Sequence, residues 1–196
     1  MKTFALLLLF SMLFLEGCFS SSRYFILSVA PNPKEVYKTE ERILGVEKVT
    51  LPSYLYKREL VMASSAQEIL LFPNALWAED LDSGLTQRLI GFLQKKFKQP
   101  NVYPYPWGVM RQVDIKVSLH INRFIIENNT IYLEASWSLE ALATNKRLSK
   151  LFSIELESQS DSKNMVMAMD KAFASLEEAI ALGLKKFDIK DFKGKR

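Results

Sequence analysis

The chain has 196 residues, of which 48% are hydrophobic and 24% are charged, and its formal net charge is +4 at pH 7. This length fits one domain of ordinary size, and the hydrophobic content argues against a wholly disordered chain. Residues 185–196 alone carry a net charge equal to that of the whole chain, so the high isoelectric point says little about the rest of the protein.

The N-terminus has the pattern of a secretory signal peptide. Lys2 supplies a positive charge, residues 4–15 form a run that is apolar except for Ser11, and Gly17 stands just before Cys18. A charged start, a short apolar run and a small residue at the cut define such a signal. The run is shorter than the ~20 residues that a membrane-spanning helix needs. We therefore predict that residues 1–17 are a signal peptide.

Cys18 is the only cysteine of the chain. The sequence Leu15-Glu16-Gly17-Cys18 resembles the bacterial lipobox, in which the cysteine is acylated and becomes the first mature residue. Glu16 departs from the pattern, because a small or neutral residue is usual there. The alternatives are a plain secreted protein and an uncleaved anchor, each with a free thiol. Acyl chains on Cys18 would hold the protein on a bilayer surface without a spanning helix. We predict lipidation of Cys18 and a tether over residues 18–22.

The first part of the mature chain is predicted to be rich in strands. Aromatic and β-branched residues indicate a strand over 23–27, and a proline-rich charged loop over 31–41 follows it. Loose alternation predicts a strand over 43–51, which Pro52 ends. Two short apolar segments around Ser64 and Ser65 predict a hairpin, with strands over 59–63 and 68–72.

An amphipathic helix is predicted over 75–98. Apolar residues recur every four positions, at Leu81, Leu85, Leu89 and Leu93. Asn74 is the expected N-cap, acidic residues lie in the first turns, and lysines lie in the last turn, as the helix dipole favours. The chain then passes through an aromatic and proline cluster at 103–107.

The second half of the chain predicts a long hairpin, a strand and a second helix. Apolar residues alternate over 113–121 and over 131–139, with Asn128 and Asn129 between them. A further strand is predicted over 151–156 and an amphipathic helix over 163–186. The expected fold class is α+β, a mostly antiparallel sheet with two amphipathic helices packed on one face. It spans a single domain over 23–187, followed by a basic tail over 188–196.

Recognisable catalytic motifs are missing from the sequence. The single histidine, His120, lies in a strand between two core-facing residues, so we expect it to point away from the core. Glycine-rich phosphate loops and metalloprotease motifs are absent. The acidic residues Glu79, Asp80 and Asp82 fit a helix start better than an acid–base pair. These observations predict a protein that is not an enzyme and uses no cofactor, metal or nucleic acid.

Several segments carry a resemblance to a known family. The most specific are V-x-L-P-x-Y-L-x-x-R over 49–58 and W-A-E-x-L over 77–81, with further similarity over 23–27, 43–61 and 133–139. The chain resembles the PqiC-like auxiliary lipoproteins of ABC-type transport systems that carry MCE-domain proteins. It departs from them at Glu16, at Asp80 where proline is frequent, and in its lysine-rich tail.

The resemblance implies a lipoprotein at the periplasmic face of the outer membrane of a Gram-negative bacterium. In such lipoproteins, a residue other than aspartate after the cysteine, here Phe19, generally allows transfer to the outer membrane. The implied partner is a periplasm-spanning MCE-domain (PqiB-like) protein that conducts lipid between membranes, and a homo-oligomer also suits this role. The open alternatives are a lipid-binding carrier with a pocket between sheet and helices, and a regulator of a peptidoglycan synthase.

The segment 51–58 is the favoured docking surface for the partner. Proline interrupts the strand there, and the apolar residues that follow cannot all face one core at the period of a strand. Tyrosine and arginine are also common anchors of interfaces. The alternative is a buried edge loop. A second candidate surface is the aromatic cluster at 103–107. The predicted partner-binding residues are Tyr54, Leu55, Tyr56, Arg58, Tyr105 and Trp107.

Overall fold

The computed structural model describes residues 21–38, 42–65, 67–106 and 112–187. The predicted signal peptide, Cys18, Phe19, Trp107 and the basic tail lie outside these residues. The strands of the described part are β1 (Arg23–Phe25), β2 (Leu44–Glu47), β3 (Glu59–Ser65), β4 (Glu68–Trp77), β5 (Val102–Tyr105), β6 (Ile115–Glu127), β7 (Thr130–Ala141) and β8 (Lys146–Glu157). The helices are α1 (Leu81–Phe97), α2 (Ser162–Lys186) and a short 3-10 helix (Ser53–Leu55).

Strand β6 organises the single mixed sheet that these strands form. On one side, β7 pairs antiparallel with β6 along its whole length, and β8 pairs antiparallel with β7. On the other side, β2 pairs parallel with the first residues of β6, and β3 pairs parallel with its last residues. Strand β5 extends the sheet beyond β2, while β4 and β1 extend it beyond β3. The longest pairings are antiparallel, as predicted.

Alternation of side chains along β6 divides the sheet into two faces. Val117, Leu119 and Ile121 are buried, whereas His120 between them is exposed. The same alternation in β7 buries Leu133, which lies in one apolar core with residues of both helices. The α+β class and the two helices on one face of the sheet are therefore confirmed, and His120 points away from the core as expected.

The first helix begins later than the sequence predicted. Strand β4 continues to Trp77 and α1 starts at Leu81, with Asp80 rather than Asn74 at the N-cap position. Glu59 of β3 pairs with Leu76 of β4, but the next residue, Leu60, pairs with Phe72, so residues 73–75 have no partner on β3. Pro73 lies in this irregular stretch, where its lack of a backbone N–H breaks no hydrogen bond between the strands. Proline therefore does not end this strand.

The aromatic and proline cluster contains a strand that the sequence analysis missed. Strand β5 pairs parallel with β2, and it lies at the edge of the sheet. Pro104 is tolerated there because an edge strand has one side without ladder hydrogen bonds. The predicted strand over 43–51 is shorter than expected: β2 ends at Glu47, and an isolated bridge then joins Thr50 to His120.

Candidate partner-docking surface

The 3-10 helix after β2 decides which residues of segment 51–58 can reach a partner. Pro52 precedes this helix in an extended conformation, and the Leu55 backbone N–H donates to the Pro52 carbonyl oxygen at 3.0 Å. This turn directs Leu51 and Leu55 into the core, where they are 5% and 4% exposed. Leu55 is therefore part of the fold, and it is not available to a partner.

Tyr54 completes the hydrogen bonding of β6. Between the stretches that pair with β2 and with β3, the backbone N–H of Phe124 donates to the Tyr54 hydroxyl oxygen at 3.3 Å. The ring is half-buried against Val61, Ala63 and Ile125. Burial raises the pKa of Tyr54 above its ordinary value. Tyr54 is thus mainly a structural residue, since a backbone donor at this depth needs a partner.

Of the predicted partner-binding residues in this segment, Tyr56 and Arg58 are exposed. The Tyr56 side chain is 55% exposed, and its hydroxyl oxygen accepts a long hydrogen bond from the Leu51 N–H at 3.4 Å. Arg58 is exposed, while its carbonyl oxygen accepts from the Trp77 N–H at 2.6 Å and fixes the backbone. We call Tyr56 and Arg58 together the docking pair. An exposed aromatic ring and an exposed guanidinium on an anchored backbone suit protein recognition.

Asp82, the acidic residue in the first turn of α1, has structural partners. The Asp82 carboxylate is nearly buried, and it forms an ion pair with Lys48 at 2.7 Å. It also accepts from the Ser83 N–H at 2.6 Å. The hydrogen bond to Asp82 raises the pKa of Lys48. These contacts account for Asp82 without an acid–base role, as its place in the first turn of the helix predicts.

The second predicted surface is only partly available. Tyr105 is half-buried in β5. It lies close to Gly45 of β2, since a Cβ built on Gly45 would be 3.1 Å from the Cβ of Tyr105. A side chain at position 45 would therefore force Tyr105 or Val113 to shift by a few tenths of an ångström. Trp107 lies outside the described residues, so its prediction remains untested.

An exposed apolar segment of β4 was not predicted from the sequence. Ile69, Leu70 and Leu71 in β4 are 43%, 44% and 45% exposed. Three consecutive exposed apolar residues are unusual in a strand without a functional reason. The signal was present in the sequence, because a strand cannot turn three neighbouring side chains to one core face.

The described ranges hold neither a cluster of metal-binding side chains nor a membrane-spanning helix. No group of three or more histidine, cysteine, aspartate or glutamate side chains in these ranges is placed to hold a metal ion. Neither α1 nor α2 combines the length and the apolarity that crossing a membrane demands.

The fold and the exposed surfaces define an α+β domain suited to binding other molecules. A family model described as an ABC-type transport auxiliary lipoprotein component matches residues 25–181. The chain belongs to this family of auxiliary lipoproteins, which confirms the resemblance read from the sequence. The family is one of transport components and not a family of known enzymes.

Solved structures show the same fold. A crystal structure of an uncharacterized protein has a TM-score of 0.68 at 22% identity, covering 84% of this chain and 99% of that one. The crystal structure of XCC0632 from Xanthomonas campestris, of family DUF330, has a TM-score of 0.68 at 14% identity, covering 81% of this chain and 92% of that one. No curated protein matches the chain.

Proposed function

We propose that the protein is a non-catalytic, lipid-anchored subunit of an intermembrane lipid transport system. It would lie at the periplasmic face of the outer membrane and dock to a periplasm-spanning MCE-domain (PqiB-like) protein. The observation that carries the proposal is the family match over residues 25–181, which makes the chain an auxiliary component of an ABC-type transporter. An auxiliary component without catalytic motifs acts by binding its partners.

The structure supports a division of labour within the segment that is most specific to the family. Leu51 and Leu55 are buried and Tyr54 bonds to β6, so these residues serve the fold. Tyr56 and Arg58 remain exposed, and within the described part of the chain Arg58 forms no ion pair. Tyrosine and arginine contribute strongly at the centres of interfaces. The docking pair is therefore the proposed contact with the MCE protein.

Lipidation of Cys18 would make this contact more effective. The proposed tether is short and leads directly into β1, which begins at Arg23. An anchored domain stays at the membrane surface, and its effective concentration toward a membrane-bound partner rises accordingly. Replacement of Cys18 by alanine should release the chain from the membrane fraction, as shown by fractionation and immunoblotting. Membrane retention of an unmodified chain would contradict the anchor.

Docking can be tested by affinity purification from the native host. Tyr56→Ala with Arg58→Ala should remove most of the co-purifying MCE protein, because loss of two anchors typically lowers affinity by about 100-fold or more. Lys57→Ala is the matched control, since Lys57 is exposed between them. Tyr54→Ala is unsuitable because it leaves the Phe124 N–H without its acceptor.

Three results would separate the alternatives. Loss of the MCE protein with the double variant, at unchanged circular dichroism, supports the docking pair. If an MCE protein co-purifies equally well with the wild-type chain and with the double variant, docking occurs elsewhere on the surface. The exposed residues Ile69–Leu71 are then the next surface to alter. Recovery of a peptidoglycan synthase in place of an MCE protein would reject the proposed function.

A further inference from the structure

A groove lies between the edge strand β8 and the C-terminal half of α2. Its volume is about 530 Å³, and its apolar lining includes Trp137, Leu148, Phe152 and Leu182. Sites for small ligands typically have volumes of roughly 300–1,000 Å³ and mostly apolar walls. The groove therefore has the size and the lining of a ligand site, and β7 is the only described strand that pairs with β8.

Small residues on α2 create this groove. A Cβ at Gly183 would lie 2.4 Å from Cη2 of Trp137, so only glycine allows the indole ring its position under the helix. Ala179, one turn earlier, also lines the groove. Phe152 on β8 is half-buried and Leu182 on α2 is 42% exposed. Apolar surface between α2 and β8 is thus left uncovered by either element.

The groove is bordered by positive charge. Its lining contains no acidic residue, and its basic residues are Lys146, Arg147, Lys150 and Lys186. Lys150 pairs in register with Trp137, so it stands beside the apolar floor. Among the residues that the structure describes, Lys150 and Lys186 have no acidic partner within ion-pair distance, whereas Arg147 stands opposite Glu140 in the pairing of β7 with β8. An apolar cleft with two such lysines at its border is complementary to a molecule with an apolar chain and an anionic head.

We propose that this groove binds a single-chain anionic lipid. The acyl chain would lie against Trp137, Phe152 and Leu182, and the carboxylate or phosphate head would meet Lys150 and Lys186. Each methylene that the groove removes from water would tighten binding by up to about four-fold. The basic tail 188–196 is a poor occupant, because it carries more basic than acidic residues and would repel the border. The inference goes beyond docking and does not depend on it.

Photolabelling in membranes of cells that express the full chain tests the proposal. The probes are a diazirine analogue of palmitic acid and the corresponding uncharged alcohol. We expect the acid to label peptides that contain residues 146–152 and 179–187, and to label them more strongly than the alcohol. Lys150→Glu with Lys186→Glu should weaken labelling by the acid at least about five-fold and leave the alcohol nearly unchanged. Ala179→Leu, which narrows the groove, should weaken labelling by both probes.

The controls make the outcome decisive. Lys163→Glu with Lys171→Glu reverses two exposed charges on the same helix outside the groove, and it should change neither probe. Equal labelling by the two probes, or no response to Lys150→Glu with Lys186→Glu, would overturn the proposal. It also fails if deletion of residues 188–196 raises labelling several-fold, because the tail would then be the occupant. If the wild-type chain recovers no MCE protein while the labelling pattern is as expected, only the proposed function is rejected.

Discussion

A buried charge network joins the two helices, and its removal should have a large effect on stability. Arg88 of α1 and Glu177 of α2 are both fully buried. The Arg88 Nε–H donates to the two carboxylate oxygens of Glu177 at 3.3 and 3.2 Å. The Nη atoms bond to the carboxylate of Asp170 and, at 3.1 Å, to its backbone carbonyl oxygen. The guanidinium also lies over the ring of Phe173, 5.3 Å from its centroid.

Arg88→Met should lower the free energy of unfolding by about 3–5 kcal/mol. Methionine fills most of the volume, but the Glu177 carboxyl and the Asp170 carbonyl oxygen then lose the guanidinium donors that satisfy them. Each polar group left without a partner typically costs about 1–3 kcal/mol, whether or not Glu177 carries a charge. The double variant Arg88→Met with Glu177→Leu removes both buried polar side chains. It should recover most of the loss, because an apolar pair of similar volume often equals or exceeds a buried ion pair in stability.

The pH dependence gives a second measurement of the same network. Burial raises the pKa of Glu177 from 4.5 to about 8, against the opposing effect of Arg88. The folded state therefore holds a proton that the unfolded state has released, and stability should decrease as the pH rises from about 4.5 to about 8. Glu177→Gln should remove this contribution to the slope.

Equilibrium denaturation in urea, followed by tryptophan fluorescence at pH 5, 6.5 and 8, measures both effects. A double-mutant cycle on Arg88 and Glu177 then gives their coupling energy. A cost of less than about 1 kcal/mol for Arg88→Met, or a double variant no more stable than Arg88→Met, would refute this account, because either result would mean that Glu177 does not depend on the Arg88 donors.

Two further substitutions test how the sheet is joined to the helices. The buried Val49 N–H donates to the Thr86 hydroxyl oxygen at 2.9 Å, so Thr86→Val should cost about 1–3 kcal/mol in urea denaturation, whereas Thr86→Ser should keep most of that energy. If Thr86→Ser lowered the free energy of unfolding as much as Thr86→Val, the hydroxyl group would not be the cause of the loss. Gly183→Ala forces a Cβ to within 2.4 Å of Trp137. The overpacking should cost about 1–3 kcal/mol of stability, which exceeds the gain of ~1 kcal/mol from the higher helix propensity of alanine. The melting temperature should therefore fall. Gly91→Ala, where the nearest side-chain atom is 3.2 Å away, is the control, and an equal fall in the two variants would argue against the clash.

Long periodic segments were predictable from the sequence because their signal is local. The prediction of a helix over 163–186 agrees with α2 (Ser162–Lys186). The alternating hairpin agrees with β6 and β7, although β6 begins two residues later than predicted and both strands extend further toward the chain's C-terminus. Their periods of 3.6 and 2 are written in consecutive side chains. Element type therefore follows from the sequence wherever the apolar pattern persists for many residues.

Segments that depend on distant partners were not predictable. Strand β5 exists because Val102 pairs with Leu44, and the end of β4 remains a strand because Ala75 pairs with Arg23. Each partner lies about 50 residues away in sequence, so no local pattern contains the information, and tertiary pairing outweighs the effect of proline. The structural role of Tyr54 was not predictable for the same reason. Its hydroxyl group fills a gap between two strands, and the gap appears only once β6 is assembled.

The docking pair and the groove lie on opposite sides of β6. Tyr56 and Arg58 lie between β2 and β3 in the chain, both of which pair on one side of β6, whereas β8 is reached through β7 on the other side. A partner bound at the docking pair would therefore leave the groove open to a lipid. Variants in one site should add to variants in the other without coupling, as expected for distant sites that share no contacts. If Lys150→Glu with Lys186→Glu instead removed the MCE protein from purified material, the groove itself would be the contact surface and the two sites would be one.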